Sequence, residues 1–526
     1  MTRRFLIGAT AALLAVSAAS ATAQEDKTLS IGLAAVVTSL DPHEASNSPN
    51  NATSRNIFDS LINRGGAAEN QPQLATSWKV VDDTHWRFDL RKDVRFHDGS
   101  AFDSEDVVAS LIRARDKKSQ AFASYTRNIA NVTADGPYSV IIQTKKPDPL
   151  ILNSLSRIRI ISADYADASV ADFENGTAAI GTGPFKFVSY TPGDRLELER
   201  NDDYFAGPSE WSHVTIRMVP DNGGRLASLL SGDLDLIEAL PAQGVARVEQ
   251  SDRFKIIRGQ STRLVYLGVN VTQKGSPFVT AKDGSELDKN PLQDERVRRA
   301  LLMSINRPAI VDRIMQKNGT VAHQFVAEGF FGHSDDIDEV PYDPEAASKL
   351  LAEAGYPDGF AMTIQGPAGR YVNDSQVLQA VGQMFSRIGI DTKVEVMPWS
   401  VFSTRELEGN FSVFLSSWGI NTGEVSNPAL ALVAANDPEK GTGRYNTGGI
   451  DVPEINELID RATSTLDDAK REPLLQKVSE LTFNDLWLLP LHYENVALAA
   501  KKNIDYQPRG DKYTLAYDVH GAQGQP

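Results

Sequence analysis

The chain has 526 residues, 41% hydrophobic and 23% charged, the balance of an ordinary globular protein too long for one apolar core, so two or three domains are expected. Its net charge of −16 excludes nucleic-acid binding by phosphate neutralisation, and no basic run offers a grip on an anionic membrane surface. The absence of cysteine excludes disulfides, thiolate metal sites, a catalytic Cys and the lipid-bearing Cys of a bacterial lipoprotein.

Residues 1–23 read as a secretory signal peptide. Arg3 and Arg4 precede an apolar run over 5–19, and Ala21, Thr22 and Ala23 form a small-residue cleavage site before Gln24. The run is too short to span a bilayer and nothing like it recurs, so no stable membrane insertion is expected. Its removal takes away two arginines and no acid, which makes the remainder more negative still. General export is expected over the twin-arginine route, because no cofactor motif calls for export of a folded protein. A soluble protein of the Gram-negative periplasm follows.

Further along, Trp86, Phe88 and Leu90 alternate as in a half-buried strand, and Asp98-Gly99 marks a turn. Asp103 stands at an N-cap position with Asp106 three residues on, and Val107, Val108, Leu111 and Ile112 recur at helical spacing. Strands are expected at 184–190 and 195–200, joined by a turn at Pro192 and Gly193, then at 214–218, 234–237 and 264–269. A short helix ends at Gly232. From Asp294 the pattern is helical, with Val297, Ala300, Leu301 and Ile305 on one face and Pro308 opening the next helix. Asp343 caps a helix that Gly355 ends. Strands at 361–364, 392–396 and 411–416 then alternate with helices at 377–388 and 401–407, as in an α/β domain.

No GxSxG elbow, P-loop or complete GxGxxG occurs; the Gly-Thr-Gly runs at 181–183 and 441–443 stop short. The eight histidines lie far apart, and His43-Glu44 lacks the second His of a zinc helix. No catalytic residue, metal site or cofactor is assigned, and the chain is not expected to be an enzyme.

In order and residue choice, the stretch 86–113 resembles the signature of the large solute-binding proteins of peptide-type ABC importers, the oligopeptide and dipeptide-binding family. The likeness includes Leu40-Asp41-Pro42-His43, PQLATSW at 72–78, GTGPFKF at 181–187, 198–201, LGVN at 267–270, RVRRALLMSINR at 296–307, and 343–360. It implies an α/β periplasmic binding protein of the large three-lobed type, with two ligand-clasping lobes joined by a hinge plus an extra lobe. Residues 24–60, 182–266 and 501–526 would form lobe I, 61–181 lobe II and 267–500 lobe III. The implied role is a monomeric receptor that closes on a short peptide between lobes I and III. It would pass that cargo to an ABC permease and its ATPase subunits.

The resemblance also implies a pocket. Family members place ligand against a Trp after a lobe III strand, here Trp418, with Gly419, Asn421 and Glu424 in the loop that follows. Trp399 matches a second pocket Trp, Tyr266 an aromatic pocket position, and Ser46, Asn47 and Ser48 the ligand-facing part of lobe I. Arg370 and Tyr371, after the strand at 361–364, are placed to meet a ligand carboxylate. On spacing alone each has another reading: core packing for the tryptophans, ordinary polar loops for 46–48 and 370–371. In peptide-binding relatives the third residue after the Trp is an Asp that pairs with the peptide ammonium, and here it is Asn421, whose amide cannot offset a buried positive charge. Either Glu424 supplies the carboxylate or the cargo is not a peptide with a free N-terminus; the alternative is a sugar, an opine or an amino-acid conjugate. The aromatic, amide-rich lining suits a neutral or zwitterionic ligand.

Overall fold

Two long antiparallel strands, Phe254–Val269 and Leu488–Lys501, form the spine of the molecule. The structure, a computed structural model, describes residues 27–66, 69–272, 278–420 and 422–522; the expected signal peptide lies outside them. Along the spine Gln260 pairs with Asn495, the register then slips, and Leu264 pairs with Tyr493. A bulge bends a strand and raises its twist. Here it also separates two apolar cores: Ile257, Leu498 and Ala500 belong to one, and Leu264, Leu267, Leu489 and Tyr493 to the other.

The spine lies inside a 12-stranded mixed sheet. On one side follow Leu236–Ile237, Thr28–Leu33, His213–Met218, Arg195–Arg200 and Phe185–Thr191. Alternating Leu29, Ile31 and Leu33, with Val214, Ile216 and Met218 beside them, face one core. On the other side lie Val413–Gly419 and Ala361–Ala368, which run parallel to each other and to Asp391–Pro398. Helices such as Asp374–Arg387 cover this half, as parallel strands require.

A separate four-stranded antiparallel sheet, Ala75–Asp82, His85–Leu90, Ser139–Thr144 and Ile129–Ala134, carries a third core. Trp86, Phe88 and Leu90 bury one face of their strand, and Val107, Leu111 and Ala114 of helix Ser104–Asp116 close over them. Asp103 and Asp106 form a reciprocal capping box at the helix start. At its other end Arg113 grips fully buried Asp41 through two bonds of 2.7 and 2.8 Å, joined by Lys117 at 2.8 Å. His43 Nε2 lies 2.8 Å from the Arg159 carbonyl. The Asp41-Pro42-His43 motif and the 86–113 stretch are therefore two halves of one joint.

Sequence expectations differ from the structure mainly in extent. The strand at 264–269 is the second half of a 16-residue strand, and that at 234–237 narrows to Leu236–Ile237. Pro308 opens only one turn, Arg307–Ala309, which continues as a π-turn over Ile310–Ile314. Among the described residues no helix is long and apolar enough to cross a membrane.

Candidate functional site

Three parallel strands deliver their carboxyl ends to one edge of the sheet, the usual ligand edge of an α/β layer. Arg370 and Tyr371 follow Ala361–Ala368, Trp399 follows Asp391–Pro398, and Trp418 is the next-to-last residue of Val413–Gly419. The structure brings Arg370, Tyr371 and Trp399 together: the Arg370 guanidinium carbon sits 4.8 Å from the centre of the Trp399 ring, and Tyr371 meets that ring edge-on at 6.2 Å. Trp399 is 37% exposed and stacks on Phe402, so it carries an aromatic face towards solvent. Tyr371 reaches Ser416 and Ser417, and burial pushes its hydroxyl upward in pKa.

Trp418 is half-buried. Its Nε1 donates to Asn427 Oδ1 at 2.8 Å and its ring meets Tyr445 at 5.0 Å, so one side belongs to the core. Gly419 pairs with Arg263 across the sheet. Asn421 lies outside the described residues. Tyr266, 3% exposed, is packed in the core and lines none of the cavities described below. Ser46 donates to the Ala121 carbonyl at 2.7 Å and Asn47 caps the helix Ser48–Ser54, so this loop is tied into its own framework.

Glu424 lines a cavity but is engaged within the protein. Its carboxylate is 4% exposed and already held by Arg471 through bonds of 2.7 and 2.9 Å, with the Ser426 hydroxyl as a third partner. Such a bidentate pair leaves no free negative charge to stand in for the missing Asp. Its partner lies far along the chain, where sequence spacing gives no hint of it.

Beside Tyr371, Val372 and Asn373 open into a cavity of about 430 Å³ shared with Glu238, Asn318, Glu494 and Lys512. The spine bulge positions its charged wall. Arg263, just past the slip, donates to Ser417 Oγ at 2.9 Å and lies 3.4 Å from Glu494, which also takes Lys512 at 3.1 Å. Burial pushes the Glu494 carboxyl up, but Lys512 and Arg263 outweigh it and hold it below its ordinary value. Glu238 has no such cation at bonding distance, and burial raises it. A second cavity of about 610 Å³ lies past the 422–424 loop, walled by Asn70, Trp78, Asn153, Phe331 and Arg471.

Sequence reasoning missed Arg64, Arg157, Arg263, Glu494 and Lys512. Arg157 had a signal: with Arg159 it interrupts the apolar series Leu155, Ile158 and Ile160, and a charge inside such a run needs a buried partner or a ligand. Both arginines follow the helix Ile151–Leu155 of the third core, and Arg159 is bonded there to Ser60 and the Ser156 carbonyl. Among the described residues no group of three or more acidic or histidine side chains is gathered as for a metal. The arrangement suits binding: aromatic faces, amides and cations lie around open volume.

The sequence profile of the bacterial extracellular solute-binding proteins, family 5 Middle, matches residues 69–439. Heme-binding protein A of Haemophilus influenzae is 26% identical over 502 residues, covering 89% of this chain and 87% of that protein. The glutathione-binding protein GsiB of Shigella dysenteriae is 27% identical over 499 residues, with 93% of each chain covered. The unliganded open form of MppA, a periplasmic murein tripeptide binding protein, superposes with a TM-score of 0.81 at 20% identity, covering 95% of this chain and 98% of that one.

Proposed function

Because the chain belongs to the bacterial extracellular solute-binding proteins of family 5, we propose that it is the periplasmic receptor of an ABC importer and captures a short peptide or peptide-like solute. The cargo would lie between lobe I, built from residues 24–60, 182–266 and 501–526, and lobe III, residues 267–500. The observation that carries this reading is the cavity of about 430 Å³, lined by residues assigned to both lobes and, through Val372, next in the chain to the Arg370–Tyr371–Trp399 cluster. Trp399, Trp418, Arg370 and Tyr371 serve as its lobe III contacts, and Lys512 as a contact from lobe I. Glutathione, bound by the second relative by its name, is a tripeptide of suitable size. The receptor acts as a monomer, docks on a permease with ATPase subunits and performs no chemistry on its cargo.

Closure about the spine bulge makes the reading testable. Small-angle scattering of the secreted chain is expected to show a smaller radius of gyration with saturating glutathione than without. A cargo recovered by native mass spectrometry that is a sugar or an opine would move the assignment to the second reading, which the Asn421 substitution favours. Steady turnover of any cargo by pure protein would overturn both.

A further inference from the structure

A buried chain of hydroxyls runs beneath the Arg370–Tyr371–Trp399 cluster. Glu406 belongs to the helix Trp399–Leu407, which also carries Trp399 and Phe402, and its Oε1 accepts from the Ser416 hydroxyl at 2.7 Å. Both residues are buried, and the hydroxyls of Tyr266 and Tyr371 reach the same Ser416. A serine hydroxyl has one proton to give and two lone pairs to receive with, so Glu406 and the two tyrosines use all of it. Tyr266 is enclosed in the core, whereas Tyr371 is half-buried and precedes Val372, which lines the main cavity.

Among the described residues no cation pairs with Glu406. On its own helix Arg405 turns to Glu395 at 3.8 Å and to the Phe411 ring at 5.2 Å. Strands Ala361–Ala368 and Asp391–Pro398 pack on that helix; the first carries no ionisable side chain, and on the second Asp391 and Lys393 are exposed and Glu395 is taken by Arg405. Arg263, on the strand of Tyr266, is engaged with Ser417 and Glu494, and Arg370 lies over the Trp399 ring. Burial and the Ser416 bond are left to govern the carboxyl, and burial wins, raising it to about 7. Burial also keeps both phenols protonated at that pH. With Glu406 ionised, Ser416 gives it a proton and receives those of both tyrosines. A proton on Oε1 instead needs an acceptor in this dry place, and Ser416 is the one within reach. Ser416 then turns its own proton to a tyrosine oxygen. Enclosed Tyr266 keeps its bond to Ser416, so Tyr371 receives that proton and turns its own O–H to the cleft.

We propose that Glu406 is a positioning residue of the cargo site: through Ser416, its proton decides whether Tyr371 offers the cargo a hydrogen-bond donor or only an acceptor. With the proton in place the cleft donates to a carbonyl or carboxylate oxygen of the cargo; without it, that donor is spent on Ser416. Cargo with an acceptor there binds more tightly on the acid side and, by linkage, takes up protons as it binds. This rests on the receptor reading above for its cargo, while the relay itself belongs to the unliganded chain.

Infrared difference spectra of the unliganded secreted chain, taken from about pH 6 to about pH 8, are expected to lose a protonated-carboxyl band that Glu406→Gln lacks. Tyr371→Phe is expected to move the midpoint of that band upward, since donation by the tyrosine strengthens the bond from Ser416 to the carboxylate. Absence of the band, or a midpoint that Tyr371→Phe leaves unmoved, overturns the relay and leaves the receptor reading standing. Calorimetry with glutathione over the same range is expected to show affinity falling at least about threefold, with net proton uptake read from buffers of different ionisation enthalpy. Glu406→Gln, whose amide donates as the protonated acid does, should bind at every pH as the unaltered protein does at the acid end. Tyr371→Phe should bind with no pH dependence; a slope equal to that of the unaltered protein overturns the proposal. No heat from glutathione at any pH overturns the peptide-like cargo, and the spectra of Tyr371→Phe then decide the relay by themselves. They decide it as well if Glu406→Gln does not fold.

Discussion

Glu406 lies beneath the aromatic cluster, 5% exposed, with the Ser416 hydroxyl donating to it at 2.7 Å. Burial raises its carboxyl to about 7. Since its unfolded value is near 4, folding must hold a proton between those values, and stability falls as pH rises through that window. Glu406→Gln is therefore expected to melt about 2 °C above the unaltered protein at pH 8 and level with it at pH 4, read by calorimetry. Asp41 behaves oppositely: burial pushes its carboxyl up, but Arg113 and Lys117 outweigh that and hold it at about 2. Its contribution is complete above about pH 4 and lost as pH falls towards 2. Asp41→Asn should cost about 3 kcal/mol at pH 7 in urea unfolding, with cargo affinity unchanged at temperatures where the protein is folded. Neither environment was legible in the sequence. Glu406 reads as one acid on an amphipathic helix, and Asp41 as part of a turn, because the groups that decide their protonation lie on other segments.

At the scale of elements, local rules sufficed where an element is stabilised locally. The strand through Trp86, Phe88 and Leu90 and the helix opened by Asp103 and Asp106 follow from alternation and capping, and both stand where the sequence puts them. The first half of the spine strand Phe254–Val269 was not legible, because Lys255, Arg258 and Gln260 break the apolar alternation and only Phe254 and Ile257 of residues 254–260 are buried in cores. Gly259 marks that place: a Cβ there would lie 2.5 Å from Pro508 Cβ. Gly259→Ala should destabilise by about 1–3 kcal/mol, and adding Pro508→Ala should recover part of that loss in the same denaturation assay. If the double variant recovers nothing, contact with Pro508 is not the reason for the glycine. The site edge was legible through the ends of the parallel strands, which place Arg370, Trp399 and Trp418. Arg64 and Arg157 were not, since a third, separate core presents them.

For the whole molecule, a net charge of −16 coexists with a cavity wall on which Arg263 and Lys512 both pair with Glu494. The core containing Leu29, Phe185, Leu498 and Val519 joins the beginning, middle and end of the chain. Its sheet places Ile31 beside Leu236, and Leu236 beside Ala500. While a ribosome is still making the chain, that core has no closing segment, and contacts this distant in sequence form late. Synthesis itself thus holds that core open until the segment ending at Val519 emerges, while the core around Phe88 and Leu111 has all its parts much earlier.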